Sequence, residues 1–225
     1  MTMEIACERS ESREAVALAS CGLAVAVILP LVPIGRWLAP GDSISALLIR
    51  EAVWWVYAAA VLLWLGLVER LPLSSIGFRR PTGKTLGFAV LGAGALMVVF
   101  FIHFGVIVRV FHLDAAAALY QQKIILSRPY WYRVLMVLRA AVVEEILFRG
   151  YIIEKVRQLT GSAALAVAVS VLAFTGAHFA GWGLVHLIPV FGAAVIFALL
   201  YVWRRDLPCN MLAHFLTDGA GFLLR

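Results

Sequence analysis

Glu144, Glu145 and Arg149 lie in Glu144-Glu145-Ile146-Leu147-Phe148-Arg149, inside a run otherwise suited to a lipid bilayer. Ionisable groups at that depth cost roughly 2.5–3.5 kcal/mol each on insertion scales, so they are functional candidates by default. They must face protein or a water-filled cavity rather than lipid. Helical residues are about 100° apart, so Glu145 and Arg149, at i and i+4, share a face and neutralise each other. Glu144 points elsewhere, to a face shared with Val137 and Tyr151, and has no evident partner. A free carboxylate in a dry cavity suits general-base chemistry, and different surroundings predict different roles for the two glutamates. The rival account is an ion network that only locks helices together, at the expense of burying it in the membrane.

Two further polar intrusions follow on separate apolar runs. Phe174-Thr175-Gly176-Ala177-His178 places Phe174 and His178 on one helix face, and His214-Phe215-Leu216-Thr217-Asp218 lets Asp218 hydrogen-bond and orient His214. Taken singly, each has a bland reading: a histidine at a helix end, or a structural pair. Together the three clusters require a common interior, because none can face lipid. His103, His112 and His186 read as interfacial, and Asn210 as a hydrogen-bonding group within the bundle. HExxH, GxSxG, P-loop and Rossmann glycine patterns are absent from the sequence.

The elements that must position these residues are membrane helices. Of 225 residues, 63% are hydrophobic and 14% charged, and the mean hydropathy is +0.95, far from a soluble domain. With roughly 20 apolar residues per crossing, the pattern predicts an all-α, polytopic transmembrane bundle. About seven helices are expected (six to eight), at about 15–38, 46–68, 86–111, 132–156, 163–180, 185–203 and 208–224. The segment from Asp114 to Arg128, with Gln121, Gln122 and Lys123, suits an interfacial or re-entrant helix. The first apolar run is too long for a cleavable signal, which has an apolar part of roughly 7–15 residues.

Arg70, Arg79, Arg80 and Lys84 put their connection, and with it the N-terminus, on the cytoplasmic side under the positive-inside rule. The +6 charge is thus one of topology, and no nucleic acid is expected. Cys7, Cys21 and Cys209 have neither disulfide nor metal spacing. No repeat or linker divides the chain, so residues 1–225 read as a single multi-pass membrane domain.

Glu144-Glu145-x-x-x-Arg149, Phe174-x-x-x-His178 and His214-x-x-x-Asp218, in that order and each on its own hydrophobic helix, closely resemble the CPBP family. That family comprises type II CAAX prenyl proteases and bacteriocin-processing proteins and is also called the ABI family. The resemblance covers about residues 130–224, the last four helices and the expected catalytic core. Leu73-Ser74-Ser75-Ile76-Gly77-Phe78-Arg79-Arg80 is similar to the basic connection that often precedes it. The resemblance implies a glutamate-dependent intramembrane endopeptidase acting on a membrane-bound or lipidated, CAAX-like protein or peptide. In it, Glu144 is the base, His178 positions the water, and Glu145 with Arg149 supports the site. His214 and Asp218 stabilise the oxyanion. Phe174 packs the cavity wall, where Tyr151 is also placed. Asp218 stands where the eukaryotic-type pattern has asparagine, which favours a role in orienting His214 as the donor.

No cofactor is favoured. A zinc-dependent alternative would use Glu144, His178 and His214 as ligands. Two rival classes remain: a non-catalytic scaffold or immunity protein that keeps the fold, and a proton-coupled transporter. For the transporter, no comparable acidic interruption is found in the first three helices. Membrane lipid is the expected surrounding, with the plasma membrane as location if the chain is bacterial. Substrate and oligomeric state are left open.

Overall fold

The computed structural model describes residues 2–224, with side chains for residues 14–179 and 182–224; Cys7 lies outside the described side chains. Among the described residues the chain is 85% helical and has no strand. Helix is the form in which an apolar chain satisfies its backbone within each segment, without water.

Helix α1 (Thr2–Ile28) leads through a 3-10 turn, Leu29–Leu31, to the short α2 (Ile34–Leu38). The continuous span expected over 15–38 is therefore broken. Pro30 and Pro33 supply the cause, since each lacks an N–H and its ring clashes with the preceding helical turn. Helix α3 (Ile44–Leu63) starts at Ser43, whose side chain accepts from Ala46 N, and it widens into a π-turn over Trp64–Val68. A 3-10 turn at Leu73–Ile76 ends on Gly77, whose φ is 79°. Helix α4 (Gly83–Ile102) opens on a capping box between Thr82 and Thr85 and continues as a π-turn over His103–Ile107. Helix α5 (Ala116–Leu126) occupies the segment expected to be interfacial.

Helix α6 starts as Tyr130–Arg139, runs as a π-helix over Ala140–Ile153, and ends as Glu154–Thr160. It is followed by α7 (Ala163–Trp182), α8 (Leu184–Arg204) and α9 (Leu207–Phe222). Glu14–Leu31, Ile44–Val68, Gly83–Val110 and Leu184–Arg204 are long and apolar enough to cross a bilayer, with Ala163–Phe179 a shorter apolar helix. The chain is thus an integral membrane protein by its helices.

Helix α6 is the spine of the bundle. Every residue from Ala140 to Ile153 except Val142 is buried, and α1, α3, α7, α8 and α9 all pack against this stretch. Its charged residues are shielded from lipid by protein on all these sides. Glu51 of α3 meets Arg139, and Glu69, at the far end of α3's π-turn, meets Tyr151 and Lys155, so α3 and α6 run parallel.

Helix α9 is held at its start by several polar contacts. The Asp206 carboxylate accepts from Cys209 N at 3.2 Å and from the Thr85 hydroxyl of α4 at 2.8 Å. Leu207 N donates to Gly77 O at 2.9 Å, joining the basic connection to the last helix. A Cβ on Gly77 would sit 2.8 Å from the Tyr201 ring, so glycine meets both the positive φ and the close approach. Helix α7 is tied to α6 by the buried Ser170 hydroxyl, which donates to Phe148 O at 2.8 Å.

Candidate active site

The π-helical stretch of α6 decides where the two glutamates point. Hydrogen bonding from i to i+5 closes each ring over one more residue than the α-helical i to i+4 bond does, which widens the turn, and such stretches recur at functional sites. Glu145 and Arg149 still pair, with Nη1 to Oε1 at 2.9 Å and both side chains fully buried. Glu144 is not the partnerless carboxylate expected from α-helical geometry. The widened turn brings it to Arg139, five residues earlier, where Arg139 Nη1 lies 2.5 Å from Glu144 Oε1. The same guanidinium uses Nε to reach Glu51 Oε2 of α3 at 2.7 Å. Tyr132 donates to the other Glu51 oxygen at 3.0 Å, and Trp54 lies under the Arg139 guanidinium at 5.3 Å.

His178 enters from α7. Its Nδ1 faces Phe174 O at 2.8 Å, and because a carbonyl only accepts, Nδ1 carries the proton. That leaves Nε2 turned to Glu144 Oε2 at 4.0 Å. The gap is too long for a direct hydrogen bond, but of the size that a bridging water fills. His178 is partly exposed and Glu144 nearly buried, with side-chain exposures of 22% and 8%.

Helix α9 brings His214 and Asp218. The expected contact between them exists, at 3.5 Å from Nε2 to Oδ2. The closer partner of His214 is Glu145, whose Oε1 lies 2.9 Å from Nδ1. Glu145 therefore orients His214 as well as pairing with Arg149. Asn210, read from sequence as a general bundle residue, is part of this network: its amide donates to Glu145 Oε2 at 3.2 Å and to Phe197 O at 2.8 Å.

Aromatic rings enclose the guanidinium of Arg149, with Phe174 at 4.1 Å and Phe197 at 4.9 Å. Phe174 also packs on His178 at 4.6 Å and edge-on to Phe148 at 5.2 Å. Phe174 thus packs between His178, Phe148 and the Arg149 guanidinium.

Tyr151 does not join the site. Its hydroxyl donates to Glu69 at 2.8 Å, in a second buried cluster where Lys155 Nζ lies 2.5 Å from Glu69. Glu69 and Glu51 are 18 positions apart on α3, about 27 Å at 1.5 Å per residue. Tyr151 on a π-helix cannot be placed by counting α-helical turns from Glu144. A cleft of about 450 Å³ borders this second cluster, lined in part by Glu14, Glu69, Arg70, Lys155 and Gln158.

Both nitrogens of His214 face carboxylates other than Glu144, and among the described residues no group of three His, Cys, Asp or Glu side chains converges on a metal position.

Arg139, Glu51 and Tyr132 were missed by the sequence reading. Arg139 and Glu51 carried a usable signal, since each is an ionisable residue within a predicted apolar helix; Glu51 is a buried acidic interruption in the second predicted helix, where none comparable was expected. Their pairing needed the π-turn and the parallel packing of α3.

Fold and site define a helical integral membrane protein with a polar cluster drawn from α6, α7 and α9. Residues 126–220 match the family model described as Type II CAAX prenyl endopeptidase Rce1-like. The matched stretch contains Glu144, Glu145, Arg149, His178, His214 and Asp218, and the resemblance of these motifs to that family is borne out over those residues. No curated protein and no solved structure matches the chain.

Proposed function

We propose that the protein cleaves a peptide bond of a membrane-bound or lipidated, CAAX-like substrate by using a water activated by Glu144. The observation that carries this reading is the 4.0 Å opening between Glu144 Oε2 and His178 Nε2. A water there donates one proton to the carboxylate and the other hydrogen bond to the unprotonated imidazole nitrogen. Glu144 takes the proton as the water oxygen attacks the carbonyl carbon, and it returns that proton to the leaving amide nitrogen as the C–N bond breaks. Such proton transfer contributes typically 10²–10⁴-fold.

His214 supports the developing oxyanion. Its Nδ1 is fixed by Glu145, and Nε2, only loosely engaged by Asp218 at 3.5 Å, remains to donate. Glu145, Arg149 and Asn210 hold the imidazole in place rather than react. Phe174 closes the wall behind His178. The membrane places the lipidated part of the substrate beside this polar cluster.

The test compares membrane peptidomes of cells producing wild-type protein with those producing Glu144→Gln protein at equal membrane abundance. Cleavage products present only with wild type, and absent at a loss of about 100-fold or more with Glu144→Gln, are expected. Products formed equally by both would refute Glu144 as the base.

A further inference from the structure

We infer that Glu51, on α3 and outside the stretch matched to the family, is a positioning residue that sets the charge on the proposed base through Arg139. The inference rests on the reading of Glu144 as base. Arg139 is shared between two carboxylates, at 2.7 Å to Glu51 and 2.5 Å to Glu144, and side-chain exposures are 12% for Arg139 and 9% for Glu51. Tyr132 fixes Glu51 by donating to its second oxygen, while Trp54 lies under the guanidinium and His178 faces the free oxygen of Glu144.

The consequence is a matter of charge balance. With both carboxylates ionised around one guanidinium, the buried triad carries one net negative charge. When Glu144 accepts a proton from water, the triad becomes neutral. Net charge is costly at low dielectric, so the triad favours the step that the base must perform. Without Glu51, the resting pair Arg139–Glu144 is already neutral, and proton transfer to Glu144 would leave a buried net positive charge. Without Arg139, the two carboxylates would repel and hold a proton before any water is bound.

The charge model makes opposite demands on single and double variants, which a merely structural role does not. Full-length proteins in lipid vesicles are assayed for initial rates at saturating and limiting concentrations of a peptide identified by its Glu144-dependent cleavage. Glu51→Gln is expected to lower kcat by about tenfold or more with little change in KM, and Arg139→Gln to lower it at least as far. Glu51→Gln/Arg139→Gln restores the single net negative charge and is expected to be faster than either single variant.

A wild-type kcat for Glu51→Gln, or a double variant slower than both single ones, would overturn the inference. Should Glu51→Gln not accumulate as a folded protein, the double variant is compared with Arg139→Gln alone. A faster double variant supports the inference, and an equal or slower one overturns it. These outcomes are distinct from a failure of the underlying reading, which would show as equal cleavage by wild-type and Glu144→Gln protein.

Discussion

Replacing Arg149 by Met tests the account of how the site is held together. The guanidinium is fully buried, donates to Glu145 at 2.9 Å, and lies 4.1 Å from the Phe174 ring and 4.9 Å from the Phe197 ring. Its Nε and Nη2 have no hydrogen-bond partner among the described residues, so ring faces take the place of acceptors. Removing one partner of a buried ion pair costs about 3–5 kcal/mol, because the other charge is left behind. The lost ring contacts add about 0.5–2 kcal/mol each, while His214 and Asn210 remain on Glu145 and offset part of the loss. A net loss of about 3–5 kcal/mol corresponds to a fall in Tm of roughly 6–20 °C for a chain of this size.

Glu145→Gln/Arg149→Met removes both charges and keeps a similar volume. Such replacements of buried pairs are often neutral or stabilising, so the double variant is expected to regain most of the lost stability. Arg149→Lys keeps the charge but not the planar stack, and is expected to fall between wild type and Arg149→Met. Tryptophan fluorescence during thermal unfolding of the purified protein in detergent measures all three. A Tm for Arg149→Met within about 2 °C of wild type, or a double variant less stable than Arg149→Met, would refute the reasoning.

Two further predictions separate the site from the rest of the bundle. A Cβ on Gly22 would collide with the Tyr151 hydroxyl and come within 2.7 Å of the Trp64 indole nitrogen, so Gly22→Ala is expected to cost about 1–3 kcal/mol. Because that cluster lies at the far end of α3 from Glu51, cleavage per folded molecule should not change, which the vesicle assay checks. Asn210→Ala leaves Glu145 Oε2 and Phe197 O without the amide. A loss of about 1–3 kcal/mol in the same unfolding assay is expected, and Asn210→Asp, which sets a second carboxylate against Glu145, should be worse.

Much of the site is legible in the sequence because its residues break a rule of the membrane. Glu144, Glu145, Arg149, His178, His214 and Asp218 each interrupt an apolar run, and lipid gives such groups no partners. The i, i+4 spacings of Glu145 with Arg149 and of His214 with Asp218 were read correctly, since both contacts exist. The shared face of Phe174 and His178 was likewise legible, since their rings pack at 4.6 Å. Pro30 and Pro33 announced the break in the first apolar run, although hydropathy averaged over a window concealed it.

Hydropathy and the spacing of polar residues on single helices were therefore enough to establish an all-α membrane protein, its ordered motifs and the local pairs within each helix. These depend on neighbours in the chain and on a solvent that penalises every exposed polar group. Three decisions belonged to tertiary structure. The π-helix of α6 turned Glu144 to Arg139 and Tyr151 to Glu69, because helical phase depends on a hydrogen-bond register that composition does not specify. The parallel packing of α3 delivered Glu51 to the same guanidinium from 88 positions away in sequence. The docking of α9 gave Glu145 a second partner in His214, 69 positions further along. Contacts between distant segments arise only when packed helices fix which faces meet, and that packing arranges the charges around Glu144.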